Sequence, residues 1–298
     1  MTEPTVPDQL TRLTEPPAPL GPSDPSEAVD PSGPSAKAAE PATVAADDPA
    51  APLIATTKLS KTFSHQGVQQ HVLRNVDLEI QAGRLTVIMG SSGAGKSTLL
   101  YALSGMDSPT LGDIRFQGRS LVGLSQSQLA RFRRRACGFV FQQINLIDTL
   151  SLMDNVMAAG LLVDKDRTAV AAKANQLFDL VGLDAAVRRK FPAQTSGGEA
   201  QRAAIVRALI NSPQALFADE PTGALDQASG TAVLDLLSRL RDDGQSVVMV
   251  THDLKSARRG DRVVYLRDGQ IAGDLDLTEA PAAERSERLL DFLAELGW

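Results

Sequence analysis

The chain has 298 residues, 43% of them hydrophobic, which suffices for one large domain or two modest ones with a sizeable core. A formal charge of −6 argues against general nucleic-acid binding, and a single cysteine, Cys137, excludes an intramolecular disulfide. No stretch approaches the run of about 20 apolar residues that a membrane-spanning helix needs, and the N-terminus lacks the apolar core of a signal peptide, so work at a membrane would require another chain to hold this one there.

Residues 1–52 hold 12 of the 17 prolines, interleaved with Ala, Ser, Thr, Asp and Glu. Such a segment buries too little apolar surface to offset its ordering entropy, which predicts a disordered tail, either an inert extension or a tether or regulatory site. From Leu53 the pattern becomes that of a packed domain. "RLTVIMG" (84–90) is a short apolar, β-branched run ending in glycine and predicts a buried strand.

That strand runs into "GSSGAGKS", which satisfies G-x-x-x-x-G-K-[ST], and "KSTLLYALSGM" continues with helical spacing. Backbone N–H groups of Gly90, Ser91, Ser92, Gly93, Ala94 and Gly95 can close around phosphate oxygens, with Lys96, Ser97 and Thr98 opening the helix. The helix N-terminus adds a dipole worth about 0.3–1 kcal/mol to an anion. Lys96 can reach the outer phosphates and Ser97 can place its hydroxyl on Mg²⁺.

"RFRRRACGF" (131–139) is the only dense basic run. No aromatic platform or base-reading motif accompanies it, so a solvated helix face is expected and no nucleic-acid partner. Helical spacing then dominates from about 151 to 195, as in "RTAVAAKANQLFDLVGL", and predicts a helical subdomain at about 145–205 inserted into the core.

Next comes a second glycine pair before a helix, "SGGE", with Ser196, Gly197, Gly198 and Glu199. Taken alone it reads as a plain N-cap, yet its glycines also leave amides accessible to an anion. "ALFADE" (215–220) predicts another buried strand, which would bring Asp219 to Mg²⁺ and Glu220 to where an attacking water could sit. An acidic pair after a strand is usually a helix cap or a solvated turn; the phosphate loop changes that reading. "SVVMVTH" (246–252) predicts a third strand, ending in His252, the one of three histidines placed beside the expected outer phosphate.

Near-continuous apolar strands alternating with helices indicate an α/β fold with a parallel sheet covered on both faces. At the end of the chain, Leu289, Phe292, Leu293 and Leu296 share one helical face. A terminal helix docked on its own domain is expected there, with a helix for a partner or a membrane surface as the other reading.

The phosphate loop, "FQQ" (141–143), "SGGE", "ADEPTGALD" and "THD" occur in the order found in ABC-type ATPases, and over residues 53–275 the sequence resembles that family. The resemblance implies a P-loop ABC ATPase core with a parallel sheet, an antiparallel β edge and an inserted helical subdomain, followed by a C-terminal helix in 276–298. It implies ATP and Mg²⁺ as cofactors and a nucleotide-dependent head-to-tail homodimer, in which the SGGE loop of one subunit meets the ATP held by the other. The second glycine loop then serves the neighbour's nucleotide, and two equivalent sites follow from two-fold symmetry.

On the same resemblance Gln142 touches Mg²⁺ or water and couples to a membrane partner. Asp226 lies in a loop crossing the dimer interface, His252 contacts the γ-phosphate, Glu220 polarises the attacking water, and Phe63 stacks on adenine where many relatives have tyrosine. "TSGGE" departs from the common "LSGGQ" at Thr195 and Glu199. "GFVFQQINLIDTLSLMDNV" and "FADEPTGALD" look closest to the branch of macrolide exporters, lipoprotein-release systems and bacitracin-type peptide-resistance transporters. The branch implies an ATPase subunit on the cytoplasmic face of the cell membrane, powering a separate integral-membrane permease. A non-hydrolysing binding scaffold is disfavoured by the presence of Lys96, Asp219, Glu220 and His252, and the runner-up is a soluble ABC ATPase acting on DNA or ribosomes. About a hundred residues without a sustained heptad run between the loops, and one cassette per chain, disfavour it.

Overall fold

The computed structural model describes residues 51–65, 67–281 and 283–298, so the expected tail (1–52) lies outside the described residues except for its last two. The chain runs β1 (Ile54–His65), β2 (Val68–Ile80), β3 (Leu85–Met89), α1 (Lys96–Leu103), β4 (Leu111–Phe116), β5 (Arg119–Ser120), α2 (Gln126–Ala136) and β6 (Cys137–Phe141). It continues through α3 (Leu152–Gly160), α4 (Arg167–Leu180), α5 (Ala185–Arg188), α6 (Gly197–Leu209), β7 (Ala215–Asp219), α7 (Gln227–Asp242) and β8 (Ser246–Val250). Last come α8 (Leu254–Ala257), β9 (Arg262–Arg267), β10 (Gln270–Asp276) and α9 (Arg285–Glu295).

Six strands form one sheet in the order β10-β9-β3-β8-β7-β6. Every pairing in it is parallel except that of β10, which closes the edge antiparallel to β9. A second sheet, β2-β1-β4-β5, is antiparallel throughout. The expected antiparallel edge is therefore two features, one added strand and one separate sheet.

Period-two alternation builds the two faces of the parallel sheet. Leu85, Val87, Met89, Val140, Leu216, Ala218, Val247 and Met249 pack into a core with α3, α4, α6, α7 and α9. Ile88, Ala215, Phe217, Val248 and Val250 face the other way, into a core shared with α1, α2 and the antiparallel sheet. Burial on both faces explains why β3, β7 and β8 read as unbroken apolar runs and have no exposed residue. Each large side chain so enclosed, Phe217 or Phe178 for example, contributes about 1.5–3 kcal/mol of transfer free energy.

The helices between the sheet strands start on short polar caps: Ser151 for α3, Asp166 for α4, Asp184 for α5 and Asp226 for α7. On α9, Leu289 and Leu293 are buried in the same core as the parallel sheet, with Phe292 and Leu296 packed against it. The terminal helix thus spends its apolar face on its own domain. Among the described residues no helix is long and apolar enough to cross a membrane.

Candidate active site

The parallel strands deliver the sequence-predicted residues to one end of the sheet. β3 ends at Met89, and Gly90 follows with φ +152°; a Cβ there would lie 2.2 Å from the Leu266 carbonyl oxygen, so only glycine can make this exit. The loop closes on Gly95, a left-handed N-cap at φ +99°, and no side chain caps the first turn of α1. Its amides are left for an anion, with the helix dipole behind them. Lys96 Nζ folds back over the loop and donates to the carbonyls of Gly90 and Ser91, both at 2.9 Å. An ammonium held across the mouth of the loop stands where phosphate oxygens would draw it away.

Beside the loop, Ser97 Oγ donates to Asp219 Oδ1 at 3.0 Å. Asp219 ends β7 and is buried. A hydroxyl and a carboxylate in contact make a hard oxygen pair, the donor set Mg²⁺ takes when phosphates and water complete its shell. Among the described residues no group of three or more His, Cys, Asp or Glu is arranged to hold a metal ion without other ligands. The pair fits Mg²⁺ bound together with nucleotide phosphates.

Glu220 and His252, the last residues of the strands the sequence predicted, fall just outside the observed ones, because β7 stops at Asp219 and β8 at Val250. Glu220 has φ +46°, a left-handed conformation that is strained for a residue with a side chain and turns the chain out of the sheet. Its amide still donates to the Val250 carbonyl at 2.9 Å, so the turn is pinned to β8. Glu220 Oε1 lies 2.7 Å from His252 Nδ1, and Thr251 Oγ1 donates to Oε2 at 3.1 Å. The His252 ring is 70% exposed against 16% for the Glu220 side chain. The histidine is therefore free to turn outward while the carboxylate stays in place. Gln142, Glu220, His252 and Asp226 line one cleft of about 400 Å³.

The second glycine loop lies beside the Asp226 turn, with Gly197 against Leu225 and Gly198 against Ser229. Ser196 Oγ accepts the Glu199 amide at 3.2 Å, and the Glu199 carboxylate accepts the Ser196 amide at 2.8 Å, a reciprocal capping box. The Ser196 amide is the first cause holding the Glu199 carboxyl below its usual range. Thr195 Oγ1 donates to the Pro192 carbonyl at 2.7 Å and closes the turn before α6. Both departures in "TSGGE" are accounted for by local hydrogen bonds. Ser196 and Gly197 are exposed, whereas Gly198 is buried against α7, where a Cβ would come 2.7 Å from Ser229 Oγ. Asp226 caps α7 through the amides of Ala228 and Ser229, both at 3.0 Å. Phe63 sits on β1 in the antiparallel sheet, 43% exposed, with the Lys61 ammonium 4.9 Å from its ring centroid. No hydrogen bond among the described residues ties Phe63 or the SGGE loop to the phosphate loop.

Three residues were missed by sequence reasoning. Tyr101 donates to Asp219 Oδ2 at 2.8 Å; burial, then the hydrogen bond to Asp219, push its phenol up to about 12. Its spacing of four from Ser97 on one helix face was the available signal. Gln201, buried on α6, donates to the Phe141 carbonyl at 3.2 Å and the Pro221 carbonyl at 2.9 Å, joining the approaches to Gln142 and Glu220. Arg207 donates to the carbonyls of Ile144 and Asn145 beyond Gln142. An adjoining cleft of about 500 Å³, which shares Arg258 and Arg259 with the first, is also lined by Arg241 and Arg285. Arg241 and Arg285 pair with buried Asp261, which accepts the Leu85 amide at 2.9 Å, so these two arginines are structural.

Residues 73–223 match the family described as ABC transporter. The lipoprotein-releasing system ATP-binding protein LolD of Syntrophotalea carbinolica is 41% identical over 224 residues, covering 75% of this chain and 98% of that protein. The macrolide export ATP-binding/permease protein MacB of Escherichia coli is 42% identical over 222 residues, 74% of this chain; the chain spans only about a third (34%) of that protein's length. Among solved structures, the dimeric post-hydrolysis state of the ATP-binding cassette MJ0796 bound to ADP and Pi superposes with a TM-score of 0.68 at 36% identity, over 75% of this chain and 98% of that one.

Proposed function

The chain belongs to the ABC transporter family, and from that premise we propose that it is the ATP-binding and ATP-hydrolysing subunit of a bacterial transporter or mechanotransmission complex. It works as a nucleotide-dependent homodimer on a separate integral-membrane permease, at the cytoplasmic face of the cell membrane. The division into a tail at 1–52, an ATPase domain at 53–275 with a helical subdomain at about 145–205, and a C-terminal segment at 276–298 belongs to the same reading. The observation that carries it is the gathering of Lys96, Ser97, Asp219, Glu220 and His252 at one end of the parallel sheet, with the SGGE loop presenting a second helix N-terminus that makes no hydrogen bond to the phosphate loop among the described residues.

Each residue has a task that follows from its place. The amides of residues 90–98 and Lys96 hold the phosphates and neutralise charge as the outer one transfers. Ser97 and Asp219 hold Mg²⁺, which supplies electrostatic stabilisation of the phosphates when bound. Glu220 orients and polarises water; His252 can leave it for the γ-phosphate without disturbing its backbone. Gln142, at the exit of β6, reports on the site to the permease. Phe63 offers a ring face to adenine, and Ser196, Gly197, Gly198, Glu199 and Asp226 act across the dimer interface on the partner's ATP.

Cargo is read by the permease. Macrolide and lipoprotein are the classes named by the relatives and are the ones to test first, together with antimicrobial peptides. The test is an affinity pull-down of Glu220→Gln from gently solubilised membranes with ATP present. Recovery of a stoichiometric integral membrane protein supports the proposal. Recovery of soluble protein alone, with ribosomes or DNA enriched, overturns it.

A further inference from the structure

Asp219 is held by two side chains from one helix. Ser97 Oγ takes Oδ1 at 3.0 Å and Tyr101 OH takes Oδ2 at 2.8 Å. Residues four apart on a helix share a face, so α1 presents both donors to the end of β7 as a single edge. The Tyr101 ring packs against the core between α1 and the sheet. Its carbonyl also accepts the amides of Met106 at 2.9 Å and Asp107 at 3.1 Å, closing the turn after α1. With its backbone held by that turn and its ring packed, the phenol donates to one carboxylate oxygen.

The Ser97 hydroxyl has one proton and two lone pairs, so it can turn a lone pair toward a cation and still donate to Oδ1. Among the described residues Tyr101 is the side chain that donates to the other oxygen, Oδ2. A terminal carboxylate torsion is broad and two-fold, so a carboxylate held at one oxygen alone can swing its plane, whereas donors on both oxygens fix it.

We propose that Tyr101 is the positioning residue for the nucleotide's divalent cation: its hydrogen bond to Oδ2 fixes Asp219 so that Oδ1 and the Ser97 hydroxyl form a ready oxygen pair. The proposal rests on the reading of Ser97 and Asp219 as the cation side of an ATP site, and it deepens that reading. Partners one step removed from a metal typically change its affinity by about 10–100-fold when lost.

The test is Tyr101→Phe in the full chain, which removes one oxygen and keeps the ring. Affinity for a fluorescent ATP analogue is measured with Mg²⁺ and with EDTA, and Mn²⁺ binding to the nucleotide-loaded protein is followed by electron paramagnetic resonance. The expected result is cation affinity weakened by about 10–100-fold, with the cation-free nucleotide affinity unchanged within about twofold. Equal weakening with and without cation, or unchanged cation affinity, overturns the proposal. Ser97→Ala separates the two levels. If it abolishes cation dependence while Tyr101→Phe leaves it intact, only the role of Tyr101 fails; if neither variant alters it, the assignment of the cation pair fails as well. Should Tyr101→Phe not fold, incorporation of 3-fluorotyrosine into the otherwise unchanged chain strengthens the phenol as a donor, with Tyr265→Phe as the background control. A shift in Mn²⁺ affinity is then expected, and no shift overturns the idea.

Discussion

Replacing Glu220 with glutamine removes one charge at nearly constant shape. The carboxylate touches two partners, His252 Nδ1 at 2.7 Å and Thr251 Oγ1 at 3.1 Å. A glutamine carbonyl can keep the first contact, and its amide can donate to the Thr251 hydroxyl, so neither partner is orphaned. The left-handed backbone at φ +46° is no more strained for Gln than for Glu. Stability should therefore change by less than about 1 kcal/mol. Removing an oriented charged group that acts on the transition state typically costs about 10²–10³-fold in turnover, or about 2.7–4 kcal/mol. Phosphate release should fall by at least about 10²-fold, with ATP affinity held within about threefold. Size-exclusion chromatography with ATP should show a dimer that persists. Turnover at the wild-type rate, or loss of ATP binding in parallel with activity, would refute the assignment.

Further outcomes follow from neighbouring contacts. Gly90→Ala forces a Cβ to 2.2 Å from the Leu266 carbonyl oxygen; thermal melting should show a large destabilisation and nucleotide binding should vanish. Ser196→Arg, made in one subunit of a mixed dimer, should silence the site whose phosphate loop lies in the other; damage confined to the mutant's own phosphate loop would contradict the trans arrangement. Gln201→Leu strips donors from the Phe141 and Pro221 carbonyls, each costing about 1–3 kcal/mol if left buried and unpaired. It should lower kcat more than ATP affinity, and an unchanged kcat would count against Gln201 as a brace of the site. Asp113 has its carboxyl held below the ordinary 3.8, first by the Ser120 hydroxyl. A depressed folded pKa gives stability that is present above the unfolded value and lost as pH falls through the folded one. Melting of Asp113→Asn should accordingly show a shallower loss of stability below about pH 4 than wild type.

What could be read directly from the residues was local. The exit through Gly90, the lysine at 96 and the strands ending near Asp219, Glu220 and His252 announce themselves by spacing and apolar runs, because strands buried on two faces leave no room for polar interruption. The purpose of Ser196 to Glu199 was not local: as a capping box it is complete in itself, and only resemblance assigns it to a second subunit. Tyr101 and Gln201 were hidden for a different reason. Their partners lie 118 and 20 to 60 positions away, reached through packing that no periodicity records. The left-handed turn at Glu220 was equally invisible, since nothing in "ADEP" demands a positive φ.

Helix α6 runs for 13 residues from Gly197 to Leu209, a rod of about 20 Å. Its tip is the exposed SGGE turn, Gln201 grips the chain on either side of the catalytic cleft, and Arg207 grips the segment beyond Gln142. A stiff rod fastened at two points along its length behaves as a lever. A tilt of about 5° over about 20 Å displaces one end relative to the other by nearly 2 Å, more than half a hydrogen-bond length. Whatever pushes on the tip is therefore felt at the strand exits that carry Gln142 and Glu220, and a load applied near Gln142 is felt at the tip. In the proposed two-fold dimer the tip of each lever would bear on the other subunit's phosphates, so that two cranks share one stroke.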